Sequence, residues 1–268
     1  MNDDLPPLVP PFAALAAIYD RAGFADYANR AAARYLAYAL ENDWAGRRVI
    51  DIGCRTGATS WWLAQQGYRV IGVDESAALI DLAQKRYATG EWVDGSPPEF
   101  VRYTLGALDA LSGLVDLALA VDGALHAASS LRELEAVFTA IRRLLDDERL
   151  LIFDLETIGG LAASAQSGPL MLYDDARDLT VIARPRFNFE TLSRATHYTI
   201  WRRGDAGWER ADEQHTARGY PVQAVRTVLE RSGFALRALL SPDMQPLDPA
   251  REQPARVVFV AQKAPDLA

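Results

Sequence analysis

VIDIGCRTG, residues 49–57, carries a short apolar run into a pair of glycines, and a helical pattern follows at residues 58–66. An apolar run this short reads as a strand buried on both faces. Gly53 and Gly57 let the chain turn tightly and come close to a ligand, and the helix start beyond them offers free N–H groups. A second buried run, RVIGV at residues 69–73, ends at Asp74 with Glu75 beside it. Strand, glycine loop, helix, strand and acid, in that order, is the arrangement in which the acid takes ribose hydroxyls of an adenosine-containing ligand.

Outward from this stretch the same alternation continues. Helices are expected over residues 76–87, with Ser76 as the cap, and over 130–145, where Leu131, Leu134, Val137, Phe138, Ile141 and Leu145 recur at three- and four-residue steps. Residues 100–103, 115–121 and 150–155 read as strands. Upstream, a proline-rich lead-in over 1–11 precedes helical spacing at 12–21 and 26–42, the latter with Asp26 as N-cap. Downstream the period changes: longer, half-alternating segments over 179–215 read as an antiparallel meander. A helix at 221–231 and two strands at 234–240 and 256–261, a hairpin-like pair, complete the chain. The implied class is α/β, a doubly wound, mostly parallel sheet. We divide it into an N-terminal helical cap (1–45), a ligand-binding domain (46–156 and 220–268) and an inserted antiparallel β lid (157–219).

Composition narrows the chemistry. The 268 residues carry a net charge of −8, with 50% hydrophobic and 24% charged residues, a globular composition without the basic footprint of a nucleic-acid binder. Lys85 and Lys263 are the only lysines, and neither follows a tyrosine by four residues, which removes short-chain dehydrogenases. No Gly-Lys-Ser/Thr or Gly-x-Ser-x-Gly occurs, and a dinucleotide fingerprint lacks its third glycine near Ser60. Cys54 is the lone cysteine, and His126, His197 and His215 have no metal-ligand spacing, so no metal is expected. The acidic N-terminus with no long apolar run leads us to expect a cytoplasmic protein that makes no use of a membrane.

With those residues in view, VIDIGCRTGATSWWLAQQGYRVIGVDES resembles the first two motifs of class I S-adenosylmethionine-dependent methyltransferases, carried onto Asp51, Gly53, Gly57 and Asp74. VDLALAVDGALH and LLIFDLET resemble that family's fourth and fifth strands. Glu213 to Tyr220, together with Tyr19-Asp20 and Asp26-Tyr27, is similar to small-molecule members, including the aminosugar N-methyltransferase group. The resemblance implies a seven-stranded Rossmann-like methyltransferase sheet and S-adenosyl-L-methionine as cofactor. It places Asp51, Gly53, Cys54, Arg55, Gly57, Asp74, Glu75, Leu108, Asp109 and Asp122 around that cofactor. The transfer site would then use His215, Asp122 and Tyr19, with Tyr27, His126, Arg218 and Tyr220 near the acceptor. Two positions depart from the family: Arg55 stands at the loop's middle glycine, and Ala107 where an acid near the adenine is usual, unless a two-residue slip brings in Asp109. They motivate an alternative, a protein that binds S-adenosylmethionine or S-adenosylhomocysteine without turnover. The expected partner is a small-molecule methyl acceptor and no nucleic acid, since the fourth strand exits into Val121-Asp122-Gly123 and not the Asn/Asp-Pro-Pro-Tyr/Phe of amino-methylating DNA enzymes. A homodimer is a possible state.

Overall fold

The computed structural model describes residues 7–89, 96–111, 113–249 and 251–265, without the side chain of Asp109. Short apolar strands that bury both faces assemble one seven-stranded sheet in the order β10-β11-β5-β4-β1-β2-β3. The members are β1 (Arg48–Ile52), β2 (Arg69–Asp74), β3 (Glu99–Arg102), β4 (Val115–Ala120), β5 (Leu145–Glu156), β10 (Phe234–Leu240) and β11 (Arg256–Lys263). The strands β3, β2, β1, β4 and β5 are parallel, and β11 runs antiparallel to both β5 and β10. Alternate side chains of each strand enter opposite layers. Val49, Leu117, Leu119 and Ile152 meet Tyr35 and Leu36 of α1 (Asp26–Glu41) and Leu63 of α2 (Ala58–Gln65). Ile50, Ala118, Leu151 and Phe153 meet Phe138 of α4 (Leu131–Leu144) and Leu229 of α6 (Val222–Arg231). Helix α3 (Ala77–Tyr87) follows β2, and Ser76 Oγ accepts the Leu79 N–H at its start. The doubly wound, mostly parallel seven-stranded sheet is therefore the architecture of the chain.

Between β5 and α6 the chain forms helix α5 (Ile158–Gln166) and a second sheet, β6 (Leu170–Asp174), β7 (Leu179–Asn188), β8 (Ser193–Gly204) and β9 (Gly207–Arg218), antiparallel throughout. Its apolar face, Leu179, Val181 and Ile200, is covered by Leu15 and Ile18 of the N-terminal segment.

Three local expectations are corrected. Residues 12–21 are turns with one short 3-10 helix, Ala16–Ile18, and the segment is entered at Phe12 with a left-handed φ of 63°. Asp26 is the first residue of α1, whose N-cap is Ala25. The strand expected at 150–155 is longer, since Leu145 already pairs with Val115 across a register shift. Helix α5 and strand β6 lie where no periodic signal stood.

Candidate active site

The strand order reverses between β1 and β4, so a crevice opens beyond their carboxyl ends. On the β1 side the loop is held by Gly53 and Cys54 N–H groups donating to Val73 O at 2.8 and 3.0 Å. Gly53 and Gly57 both lie at positive φ, 75° and 79°. A Cβ on Gly53 would stand 2.6 Å from the Ala124 Cβ, and one on Gly57 2.6 Å from the Phe100 ring. The loop thus needs glycine for backbone and for packing against its own neighbours. Asp51 is buried behind it and accepts from Ser60 Oγ at 2.7 Å. Burial raises its carboxyl to about 6, with the Ser60 bond opposing. Cys54 packs with Ile80, Ala83 and Phe100, and burial pushes its thiol well up, which removes it as a nucleophile.

Asp74 ends β2 with both oxygens engaged: one accepts the Ser76 N–H at 2.9 Å, the other the Arg55 N–H at 3.1 Å. Arg55, itself at φ 55°, turns inward. Its Nη1 lies 3.6 Å from the Asp74 carboxylate, and its guanidinium sits over the Phe12 ring at 4.9 Å. Arg55 is where three spaces meet. One slot faces Asp51, Asn29 and Thr56. A second is walled by Val73, Asp74, Leu105 and Leu108, with Gly53 on its border. The third is a cavity of about 310 Å³ beneath the antiparallel sheet. Glu75 is exposed and borders the second slot and the cavity. Asp109 belongs to the 3-10 turn Leu105–Ala110, and its side chain lies outside the described residues.

On the β4 side, Asp122 stands at φ 56°. Its N–H and that of Gly123 donate to the carboxylate of Asp154, at 2.9 and 3.0 Å. Asp154 is wholly buried and also accepts from Tyr35 OH at 2.9 Å and from Arg256. Arg256 reaches Asp122 as well, at 3.3 Å. Burial lifts the Asp122 carboxyl to about 6 against the pull of Arg256. The periodicity of β5 gave no warning of this hub, although an acid closing an apolar strand, as at Asp51 and Asp74, is a signal that could have found Asp154.

The cavity brings together Tyr19, Arg55, Glu75, Asp122, His126 and His215. Tyr27 is elsewhere: its hydroxyl is 3.5 Å from that of Tyr35 and its ring lies under Arg256. Tyr220 is a core residue that donates to Ala128 O, and Arg218 lies over its ring. None of these three residues, expected near the acceptor, borders the cavity, and each packs against its own neighbours. His126 does border it, but Nε2 accepts the Glu156 N–H at 2.9 Å and Nδ1 meets Arg218 O at 2.7 Å. The first bond fixes Nδ1 as the protonated nitrogen, and burial lowers the pKa of the ring. His126 is a neutral strut between β5 and β9, with no nitrogen left for an acceptor.

The remaining walls are aromatic and ionic. Tyr19 is buried, stacks on Phe24 at 5.3 Å, and has its phenol pushed up to about 12 by burial. It therefore stays protonated and can donate. His215 meets Phe12 edge-on at 4.3 Å and Tyr198 at 5.1 Å, with Nε2 2.8 Å from Glu213 Oε1. Arg194 closes the far wall in a two-pronged pair with Glu156, at 2.8 and 2.9 Å. Among the described residues no group of three or more His, Cys, Asp or Glu side chains could hold a metal, and no helix is long and apolar enough to cross a membrane.

Set beside known proteins, residues 49–148 match the methyltransferase-domain family. The chain is 25% identical over 219 residues to YqeM of Bacillus subtilis, whose name gives methyltransferase and no substrate, covering 81% of this chain and 84% of that one. In three dimensions it is similar to an S-adenosylmethionine-dependent methyltransferase of Clostridium acetobutylicum, with TM-score 0.78 and 16% identity over 96% of this chain and 100% of the other. It is also similar to the sugar N-methyltransferase KedS8 of Streptoalloteichus sp, with TM-score 0.74 and 16% identity over 99% of both chains. Residues 49–148 thus match a methyltransferase domain, and the chain around them shares the fold of solved S-adenosylmethionine-dependent methyltransferases.

Proposed function

We propose that the chain transfers a methyl group from S-adenosylmethionine to an amine or hydroxyl of a small molecule held in the 310 Å³ cavity. The observation that carries this reading is the meeting of the three spaces at Arg55: a glycine-loop slot, an apolar slot beside a buried acid, and a cavity with a carboxylate-bound histidine. These residues fit the cofactor by their chemistry. Asp74 would take ribose hydroxyls, exchanging its pair with Arg55, and Leu105 and Leu108 would flank a flat base. Asp51, Asn29, Thr56 and the loop around Gly53 would hold the amino-acid end. Bound there, the cofactor supplies a methyl on a sulfonium, with the electron pair of the broken C–S bond left on sulfur.

The chain supplies position, dryness and a proton acceptor. His215 would take the proton leaving the acceptor nitrogen or oxygen as the new bond to carbon forms, and the Glu213 carboxylate would steady the imidazolium. Tyr19 would donate a hydrogen bond and Asp122 would orient the acceptor. KedS8, a sugar N-methyltransferase of the same fold, supports a small polar acceptor. Titration calorimetry with S-adenosylhomocysteine tests the reading, with NAD as the control. Asp74→Ala should weaken binding by about 1–3 kcal/mol through lost charge-assisted hydrogen bonds. No heat with S-adenosylhomocysteine would sink the proposal, and an unchanged affinity in the variant would remove Asp74 from the ribose.

A further inference from the structure

Glu213 is fully buried in β9, and among the described residues its only side-chain partner is His215. Its charge is met otherwise by a cradle of backbone N–H groups from the N-terminal segment. Oε1 accepts from Phe12 at 3.3 Å, and Oε2 from Ala14 at 2.9 Å and Leu15 at 3.4 Å. Successive N–H groups converging on one carboxylate form an anion-holding concavity. The same segment is anchored at Val9, whose N–H donates to Asp212 O at 2.9 Å. Phe12 sits in the left-handed region at φ 63°, a conformation rare for such a residue that the surroundings must enforce. Its ring then touches both His215 and Arg55, linking the base to the glycine loop.

We infer that Glu213 is a positioning residue that fixes the tautomer of His215 and ties it to the docked state of residues 12–15. Both carboxylate oxygens already act as acceptors toward N–H groups, so the imidazole must be the donor in the fourth bond. Nε2 then carries the proton, and Nδ1 is the nitrogen left with a lone pair for the cavity that His215 borders. The proton acceptor exists only while the N-terminal segment is seated. If the segment lifts, the carboxylate loses its three N–H partners together and the imidazole loses its fixed orientation. This inference rests on reading the cavity as the acceptor site, but its test does not depend on the cofactor.

Long-range 1H–15N NMR of the full chain, at a pH above the imidazole titration, reports the tautomer directly, with His215→Asn assigning the signals. Wild type should show Nε2 protonated and Nδ1 bare. In Glu213→Gln the amide oxygen must take the backbone N–H groups. Its NH2 then faces the ring and should shift the proton to Nδ1. Exchange of the amides of residues 12–15 should quicken by about tenfold or more in the same variant. Glu213→Asp, which keeps the acceptor charge, should retain the wild-type tautomer. An Nδ1-protonated or mixed ring in wild type overturns the inference even if no variant folds. An unchanged tautomer in Glu213→Gln overturns it too. Failure of S-adenosylhomocysteine to bind wild type would instead defeat the functional reading and leave the tautomer result standing.

Discussion

Asp51 at the end of β1 and Asp122 just past β4 flank the switch point, and burial pushes both carboxyls up to about 6. A folded value above the unfolded one means that the fold favours the protonated acid. The stabilisation this gives is complete below the unfolded value of about 4 and is lost as pH rises through about 6. At neutral pH each charge is therefore held at a cost, one that a site for a cationic or hydrogen-bonding ligand can recover. Asp51→Asn keeps an acceptor for Ser60 and removes the ionisation. Urea unfolding should show the variant gaining about 2–3 kcal/mol on wild type between pH 4 and pH 8, the cost of ionising an acid that the fold holds near 6. Parallel stability curves would mean that Asp51 does not ionise at a cost.

Two helix starts contrast in what they require. At α4, Ser130 Oγ accepts the Glu133 N–H at 3.1 Å, and Glu133 reaches back to the Ser129 N–H at 2.7 Å. Ser130→Ala removes one hydrogen bond and should cost about 1 kcal/mol in chemical denaturation. At α2, Gly57 is itself the N-cap, left-handed and pressed against Phe100. Gly57→Ala adds about 1–2 kcal/mol of backbone strain to a steric clash, so it should exceed the Ser130 loss clearly. Equal losses would show that the loop can relax. The same local logic explains what could be read in advance. Strands β1, β2 and β4 and helix α4 carry their own patterns, so RRVIDI, RVIGV and the heptad-like spacing of α4 disclosed them. Helix α5, IGGLAASAQ, has two glycines and no apolar stripe, and its start is signalled only by Thr157 accepting the Gly160 N–H. Of the site, the glycine loop and Asp74 were legible because they are contiguous. The Asp154–Arg256 bond spans 102 residues, and no local period encodes it. Glu213 and His215 were within reach, since residues two apart on a strand share a face. The turns at 12–21 are likewise seated at long range, with the Phe12 and Ala14 N–H groups donating to a carboxylate some two hundred residues away.

Polar ties join the antiparallel sheet to the parallel one, and an apolar layer joins it to the N-terminal segment. Arg194 on β8 bonds Glu156 on β5 and Ser164 on α5, and Thr56 in the glycine loop donates to Asp20 at 2.7 Å. The apolar layer is small: Leu179, Val181 and Ile200 from the antiparallel sheet, and Leu15 and Ile18 from the N-terminal segment. A sheet with one apolar face needs that face covered. Leu15, about 1% exposed, is therefore as much a part of that sheet's core as any residue in β7. Leu15→Ala should cost about 2–5 kcal/mol at its own contacts. The large core around Phe138, Phe153 and Phe259, with Phe153 and Phe259 stacked at 4.7 Å, lies in a different cluster and shares none of them. Native-state hydrogen exchange should then show Val181 and Ile200 amides losing protection in Leu15→Ala, while those of Leu119 and Ile152 keep theirs. The antiparallel sheet would then open by local unfolding without disturbing the sheet that holds the glycine loop. Equal loss of protection in both sheets would instead make the molecule one cooperative unit.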